Sequence, residues 1–194
     1  MSGMANRETI LERIRQNKPG ASPLPVQFNR RNKPLLNEDL AKLFRESLVK
    51  AGAEVVELSN QEDILAYLDK QVAGAIDFGQ PEIRTRYSSN TSNDDLEKIG
   101  AAVVEGRFGV SENGAVWFDE TDFPNRLIPF ITEQLIIVLN TGNIVRDMHE
   151  AYQKIDLKDT GFGVFISGPS KTADIEQSLV YGAHGAKELC VLLY

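Results

Sequence analysis

Short apolar runs alternate with amphipathic stretches in the first half of the chain. Apolar residues at helical spacing predict a helix over residues 38–51, capped by Asn37. Residues 53–58 are a strand candidate, a helix beginning at Ser59 or Asn60 follows, and residues 74–78 predict a second short strand. This alternation of strand and helix favours a largely parallel sheet covered by helices.

The middle of the chain predicts a β-hairpin. Residues 109–110 and 115–118 are β-rich, and the pair Asn113-Gly114 stands between them. An Asn-Gly pair between two such segments is a strong hairpin signal. Residues 80–93 contain a proline and a Ser/Asn/Thr cluster, which predicts mostly loop. Arg84 and Arg86 in that stretch are either anion contacts or plain surface residues.

The last third of the chain carries the clearest strand signals. Residues 133–139 predict a buried strand, followed by a helix over about residues 145–155. A short apolar run over residues 163–166 predicts another strand. After it, the pattern predicts a helix over residues 170–182 and a final strand over residues 188–193.

The N-terminal part of the chain differs from the rest. Residues 5–17 predict an amphipathic helix, and several prolines follow it. We therefore divide the chain into an N-terminal helix and proline-rich arm, residues 1–34, and an α/β domain, residues 35–194. The arm either docks on a partner or a second copy, or packs across its own domain.

Composition narrows the function classes. The 194 residues carry a net charge of −7 and no basic stripe, which argues against nucleic acid as the main partner. One cysteine and two histidines cannot by themselves supply an iron–sulfur or zinc site of the usual ligand set, so we expect no metal. Cys190 lies in an apolar run and is expected to be a buried thiol. The chain shows no signal peptide or long apolar segment, and we expect a cytoplasmic protein.

The first candidate site follows the predicted strand at residues 163–166. A strand that turns into a helix there presents free backbone N–H groups at the carboxyl edge of a sheet, where open α/β sheets bind ligands. A phosphate or carboxylate fits this turn, and the alternative is a well-capped helix start. The candidate anion-binding residues are Gly168, Ser170, Lys171, Thr172 and Asp174. His184, at the far end of the predicted helix, is expected to be structural and distant from the anion site.

The second candidate site is the predicted hairpin turn. Glu112 in a tight turn is held rigidly, and as a candidate catalytic residue it suits a nucleophile, a general base or a ligand for a hydroxyl. The alternative is a surface glutamate in a hairpin. Asn113 and Gly114 beside it are candidate ligand contacts. We expect the stretches 105–117 and 163–176 to converge on one pocket.

Residues 166–176 and 182–189 closely resemble the C-terminal signature of the LUD-domain family. The resemblance implies an α/β fold of the NagB/RpiA/CoA-transferase type, a three-layer α/β/α sandwich with a largely parallel sheet. It also implies a role in a cytoplasmic system that oxidises L-lactate to pyruvate. In such a system, partner oxidoreductase subunits hold the iron–sulfur clusters. This chain is then expected to be an accessory subunit that holds no cofactor, binds a small anionic metabolite and is a candidate homo-oligomer.

The hairpin turn departs from the family pattern. The family usually shows a Glu-Thr-Gly-Thr turn where this chain has Glu112-Asn113-Gly114-Ala115, so the threonine hydroxyls are missing. The sequence Ser111-Glu112-Asn113-Gly114 instead resembles the active-site motif of family I CoA-transferases, in which the glutamate forms a covalent acyl-CoA intermediate. Two alternatives therefore stand beside the accessory subunit: a stand-alone CoA-transferase-like enzyme that uses Glu112, and a sugar-phosphate or small-acid binding protein.

Overall fold

The structure is a computed structural model that describes residues 3–18, 36–72, 74–156, 161–175, 178–182 and 184–194. It contains two compact units, Met1–Pro34 and Leu35–Tyr194. In the first unit, helix α1 covers Gly3–Gln16. Among the described residues, no helix is both long and apolar enough to cross a membrane.

Among the described residues, the second unit contains the remaining helices and all of the strands. Its helices are α2 (Asn37–Ala51), α3 (Gln61–Gln71), α4 (Pro81–Arg86), α5 (Asn93–Leu96), α6 (Ile128–Ile131) and α7 (Met148–Lys154), with a 3₁₀ turn over Thr141–Asn143. Its strands are β1 (Glu54–Glu57), β2 (Ile76–Asp77), β3 (Ala101–Glu105), β4 (Phe108–Val110), β5 (Ala115–Asp119), β6 (Gln134–Leu139), β7 (Ile144–Val145), β8 (Gly163–Ile166), β9 (Lys171–Ile175), β10 (Ser178–Tyr181) and β11 (Glu188–Leu193).

The central sheet has five strands in the order β1-β11-β6-β3-β2, and all its pairings are parallel. Both faces are buried, as parallel sheets require. Along β6, Leu135 and Ile137 pack on one face, and Ile136 packs on the other against Ile64 of α3. Helix α2 and a second sheet cover the first face. The predicted layered α/β fold with a largely parallel sheet is confirmed.

The second sheet has the order β7-β4-β5-β8 and contains the predicted hairpin. Strands β4 and β5 pair antiparallel, with Val110 opposite Ala115, so the Asn-Gly signal is confirmed. Val116 faces the main core, while Trp117 faces a separate apolar cluster that includes Ala151 of α7. The second sheet therefore lies between the central core and α7.

The N-terminal ends of α3 and α2 test two predictions that were made from local sequence. The side chain of Asn60 accepts a hydrogen bond from Asp63 N–H at 2.9 Å and caps α3, so the predicted helix start at Ser59 or Asn60 is confirmed. Asn37 is the first residue of α2 rather than its cap; Leu36 holds the cap position and makes no side-chain cap bond.

Three predicted segments need correction. Residues 81–86 form a helix, not a loop, because Pro81 stands at a first-turn position where it needs no N–H partner. The predicted helix over 145–155 begins only at Met148, after strand β7. The predicted helix over 170–182 is wrong, because strands β9 and β10 form a two-stranded antiparallel sheet there.

Cys190 lies on β11 with 3% of its surface exposed, which confirms the buried thiol. Burial, followed by the charge of Glu54, raises the pKa of Cys190 to about 11, and a hydrogen bond with Tyr67 opposes this shift. Burial is also the largest cause that raises the pKa of Tyr67 to about 12. At neutral pH the thiol is therefore protonated and shielded.

We expect Cys190 of the folded protein to react with iodoacetamide at pH 8 at least about 100-fold more slowly than the same thiol in the urea-unfolded chain, because the thiolate is the nucleophile. Mass spectrometry of timed samples measures the alkylated fraction. Equal rates in the two states would contradict this picture of a buried, protonated thiol.

Candidate functional site

The β9–β10 hairpin returns to its starting point at Ser170. The N–H of Ser170 donates to Ala186 O at 2.9 Å, and the N–H of Gly182 donates to Ser170 O at 3.0 Å. The N–H of His184 donates to Ser170 Oγ at 3.3 Å. We call residues 168–171, 182 and 184–186 the hairpin base. His184 therefore lies beside Ser170, contrary to the expectation that the two are far apart.

The same contacts explain why residues 170–182 do not form the predicted helix. Ser170 uses its backbone N–H and carbonyl to close the hairpin base, and Lys171 and Thr172 pair with Tyr181 and Val180. The segment contains one residue each of Thr, Ile, Val and Tyr, which favour strands over helices. The free N–H groups of a helix N-terminus are therefore not formed at Ser170. The side chains of Thr172 and Asp174 lie outside what the structure describes.

Lys171 links the hairpin base to α2. Its Nζ donates to Ala51 O at 2.6 Å, and Ala51 is the last residue of the helix. A cation at this position satisfies an end carbonyl and interacts favourably with the helix dipole. The exposed Lys171 side chain thus stabilises the C-terminal end of α2.

Gly168 allows the hairpin base to approach α2 closely. It has a φ of +77°, and a Cβ at this position would lie 2.6 Å from Ala51 O. Both the left-handed backbone and the contact exclude a larger residue. Gly74 offers a comparison, since it has a φ of +91° and no atom within 4 Å of the corresponding position.

We expect Gly168→Ala to lower the free energy of unfolding by more than Gly74→Ala. The left-handed backbone costs each variant about 1 kcal/mol, and the contact with α2 adds roughly 1–3 kcal/mol at Gly168 only. Urea unfolding followed by circular dichroism measures both values. Equal decreases in the free energy of unfolding of the two variants would contradict the close approach of Gly168 to α2.

The two sequence stretches expected to converge on one pocket are in contact, and the pocket itself stays a prediction. Ser167 Oγ donates to Asn113 O at 2.7 Å. Gly114 lies against α2, where a Cβ would be 2.7 Å from Leu48 N, and Asn113 Oδ1 accepts from Ala115 N–H at 3.0 Å. The stretches form a packed junction along the last turns of α2, joined by the antiparallel pairing of β5 with β8 and by the hydroxyl of Ser167.

Glu112 is exposed at this junction and contacts α7. Its Oε2 accepts a hydrogen bond from Met148 N–H at 3.1 Å, and its own N–H donates to Arg146 O at 3.0 Å. Met148 is the first residue of α7, where a carboxylate is stabilising. The carboxylate of Glu112 therefore supports the start of α7, and its predicted catalytic role stays a prediction.

We expect Glu112→Ala to lower the free energy of unfolding by about 0.5–1 kcal/mol, because the first turn of α7 loses an acceptor. Glu46→Ala, an exposed change on α2, serves as the matched control and should change stability by less than about 0.5 kcal/mol. Thermal unfolding of both variants provides the measurement. A Glu112→Ala variant as stable as the parent would show that this contact contributes nothing.

Two arginines stabilise the loop after β5. Arg107 pairs with Asp119 and Asp122, each at 2.7 Å, and the hydrogen bond with Asp122 is the largest cause that raises the pKa of Arg107. Arg84 donates to Asp122 O at 2.8 Å. In this structure Arg84 therefore holds a loop in place, a role that was not among the alternatives read from the sequence.

A cleft of about 470 Å³ lies at the carboxyl ends of β1 and β11. The sequence did not reveal it, because its walls come from distant parts of the chain. The only local signal was a stripe of charged residues along α2 at positions 38, 42 and 45. The lining residues are Asn37, Glu38, Ala41, Lys42, Arg45, Glu57, Leu58, Thr141, Gly142, Leu193 and Tyr194.

Comparison with known proteins gives the following matches. A family model described as the LUD domain matches residues 73–194. A lactate utilization protein C from Shouchella clausii is 25% identical over 172 residues, covering 81% of this chain and 73% of that protein. A lactate utilization protein C from Bacillus pumilus is 29% identical over 103 residues, covering 50% of this chain and 43% of that protein. An uncharacterised protein from Neisseria meningitidis is 31% identical over 97 residues.

The match spans only 42% of the length of the Neisseria protein, and 48% of this chain. Among solved structures, a DUF162 family protein from Deinococcus radiodurans has a TM-score of 0.64 at 19% identity. The match covers 82% of this chain and 99% of the Deinococcus chain. At this identity the likeness shows a shared fold.

Proposed function

We propose that this chain, which belongs to the LUD domain family as its C-terminal signature predicts, is a lactate-utilisation protein. The observation that carries the proposal is the similarity to the Shouchella lactate utilization protein C, which extends over 73% of that protein. The α/β fold supplies a stable framework but does not identify a reaction, because one fold hosts many functions.

The proposed role is that of an accessory subunit in the cytoplasm. Oxidation of L-lactate to pyruvate removes two electrons, which an acceptor must take up, and the ordinary side chains do not accept electron pairs. Iron–sulfur clusters need several cysteine thiolates, and this chain has the single Cys190. In the proposal, oxidoreductase partners therefore hold the clusters, while this subunit supports their assembly or binds a metabolite.

The proposed metabolite is a small carboxylate bound at the hairpin base. Lys171 follows Ser170 there and is exposed, with its ammonium at Ala51 O, and both lactate and pyruvate carry a carboxylate that such a cation attracts. Asn113 and Gly114 adjoin this place through the Ser167 contact with Asn113. Thr172 and Asp174 complete the set of candidate ligand-binding residues, and Gly168 allows the backbone turn before them.

Gentle purification of the native protein from its own cells tests the accessory role. We expect brown, cluster-bearing partners to co-purify and to reduce a dye when L-lactate is added, while the isolated chain does not. Mass spectrometry identifies the partners. A colourless protein without partners and without lactate-dependent activity would refute the role. If acyl-CoA then added mass to Glu112, and Glu112→Gln abolished the addition, the CoA-transferase alternative would replace it.

Within the purified system, Lys171→Gln separates ligand binding from assembly. The proposal expects a higher KM for lactate at an unchanged kcat, with the partners still bound. Lys50→Gln is the matched control, because Lys50 is an exposed lysine in the last turn of α2. Equal KM values in the two variants would exclude Lys171 from the ligand site.

A further inference from the structure

We propose that Asn113 is a site of spontaneous deamidation, and that the reaction requires the β4–β5 turn to move away from α2. Asn113-Gly114 is the one Asn-Gly pair in the sequence. In such a pair, the backbone nitrogen of the glycine attacks the side-chain amide of the asparagine. Any other residue after the asparagine hinders this attack with its Cβ, which glycine lacks. The pair that forms the hairpin turn is therefore also the pair most prone to this reaction.

The reaction converts the side-chain amide of Asn113 to a carboxylate and consumes one water molecule. First, the Gly114 nitrogen gives up its proton and bonds to Cγ of Asn113, and the side-chain nitrogen leaves as ammonia. Water then opens the cyclic succinimide that has formed. Attack of water at Cγ gives aspartate. Attack at the main-chain carbonyl carbon gives isoaspartate, in which the chain runs through the former side chain.

In the folded turn both reacting groups are held in hydrogen bonds. The N–H of Gly114 is buried and donates to Val110 O at 2.9 Å, and Asn113 Oδ1 accepts from the N–H of Ala115 at 3.0 Å. As in amide hydrogen exchange, the proton of a buried and bonded N–H is removed only after local opening. The side chain of Asn113 is exposed, so water for the second step is at hand.

Both ends of the reacting peptide unit are fixed. Its N–H is bound to Val110, and its oxygen, Asn113 O, accepts from Ser167 Oγ at 2.7 Å. A Cβ on Gly114 would lie 2.7 Å from Leu48 N, so the backbone of the turn lies directly against α2. The Gly114 nitrogen reaches Cγ only if this peptide unit rotates. The turn therefore has to break these contacts before the ring can form.

The two products fit the turn differently. Aspartate keeps an oxygen at the position of Oδ1, so the hydrogen bond from Ala115 N–H is retained. Isoaspartate adds one methylene group to the main chain just before Gly114, where the backbone already touches Leu48. It also removes from the peptide unit the carbonyl that accepts from Ser167. A chain that carries isoaspartate therefore cannot restore the native junction with α2.

Timed incubation of the full chain in mildly alkaline buffer, folded and in urea, tests the proposal. Peptide mapping by mass spectrometry measures the mass increase at Asn113 that accompanies loss of the amide. We expect the folded chain to react at least about tenfold more slowly than the unfolded chain, because only the open fraction reacts. Asn113→Asp should show no mass increase in this peptide, which confirms the assignment.

Ser167→Ala separates local opening of the turn from global unfolding. It removes one of the bonds on the reacting peptide unit and should speed deamidation of the folded chain about two- to tenfold. The rate in urea should stay the same, because Ser167 is 54 positions from Asn113. Gly74→Ala is the matched control, since it destabilises the domain away from the turn. It should change the rate in the folded chain by less than about twofold.

Several results would overturn the proposal. No mass increase at Asn113 in urea would remove the site, and equal rates in the folded and unfolded chains would show that the fold does not control it. Equal acceleration by Ser167→Ala and Gly74→Ala would place the reaction in the globally unfolded chain. A purified isoaspartate form that melted at the same temperature as Asn113→Asp would contradict the effect of the added methylene. None of these measurements uses lactate or partner subunits, so their outcome is independent of the proposed function.

Discussion

The packing of helix α2 against both sheets is the constraint on which the rest of the domain depends. Phe44 and Leu48 are fully buried there, in the core shared by the central sheet and the inner face of the second sheet. Interiors are close-packed, so the helix cannot shift or rotate without opening cavities. Its first turns border the cleft, and its last turns contact the hairpin base and the β4–β5 turn. One buried helix thus sets the geometry of both candidate sites.

Local signals in the sequence predicted much of this fold because they need no distant partner. The cap at Asn60 depends on a residue three positions away. The turn at Asn113-Gly114 follows from the backbone preferences of two residues. Strand β6 is recognisable because parallel strands are buried on both faces and read as continuous apolar runs. The C-terminal signature, finally, indicated the LUD domain family without any geometry, and the family model confirms it.

The errors occurred where distant contacts override local preference. Ser170 followed by acidic residues is a sound helix start, yet Lys171 bonds to Ala51, 120 positions earlier, and Ser170 bonds to Ala186. A cap contributes about 1 kcal/mol, which such tertiary contacts exceed together. The cleft was missed for the same reason, since Lys42, Glu57 and Tyr194 meet only after the sheet has formed. The predicted ligand contacts at the hairpin base and at Glu112 remain predictions.

The position of β11 has a consequence for synthesis of the chain. This strand follows every other described strand in sequence, yet it lies inside the central sheet, with β1 on one side and β6 on the other. During translation, β1 and β6 are made long before the strand that joins them. Until β11 emerges from the ribosome, each leaves a sheet edge and apolar faces uncovered, and such surfaces promote aggregation. The nascent domain is therefore exposed to aggregation until β11 is available to join β1 to β6.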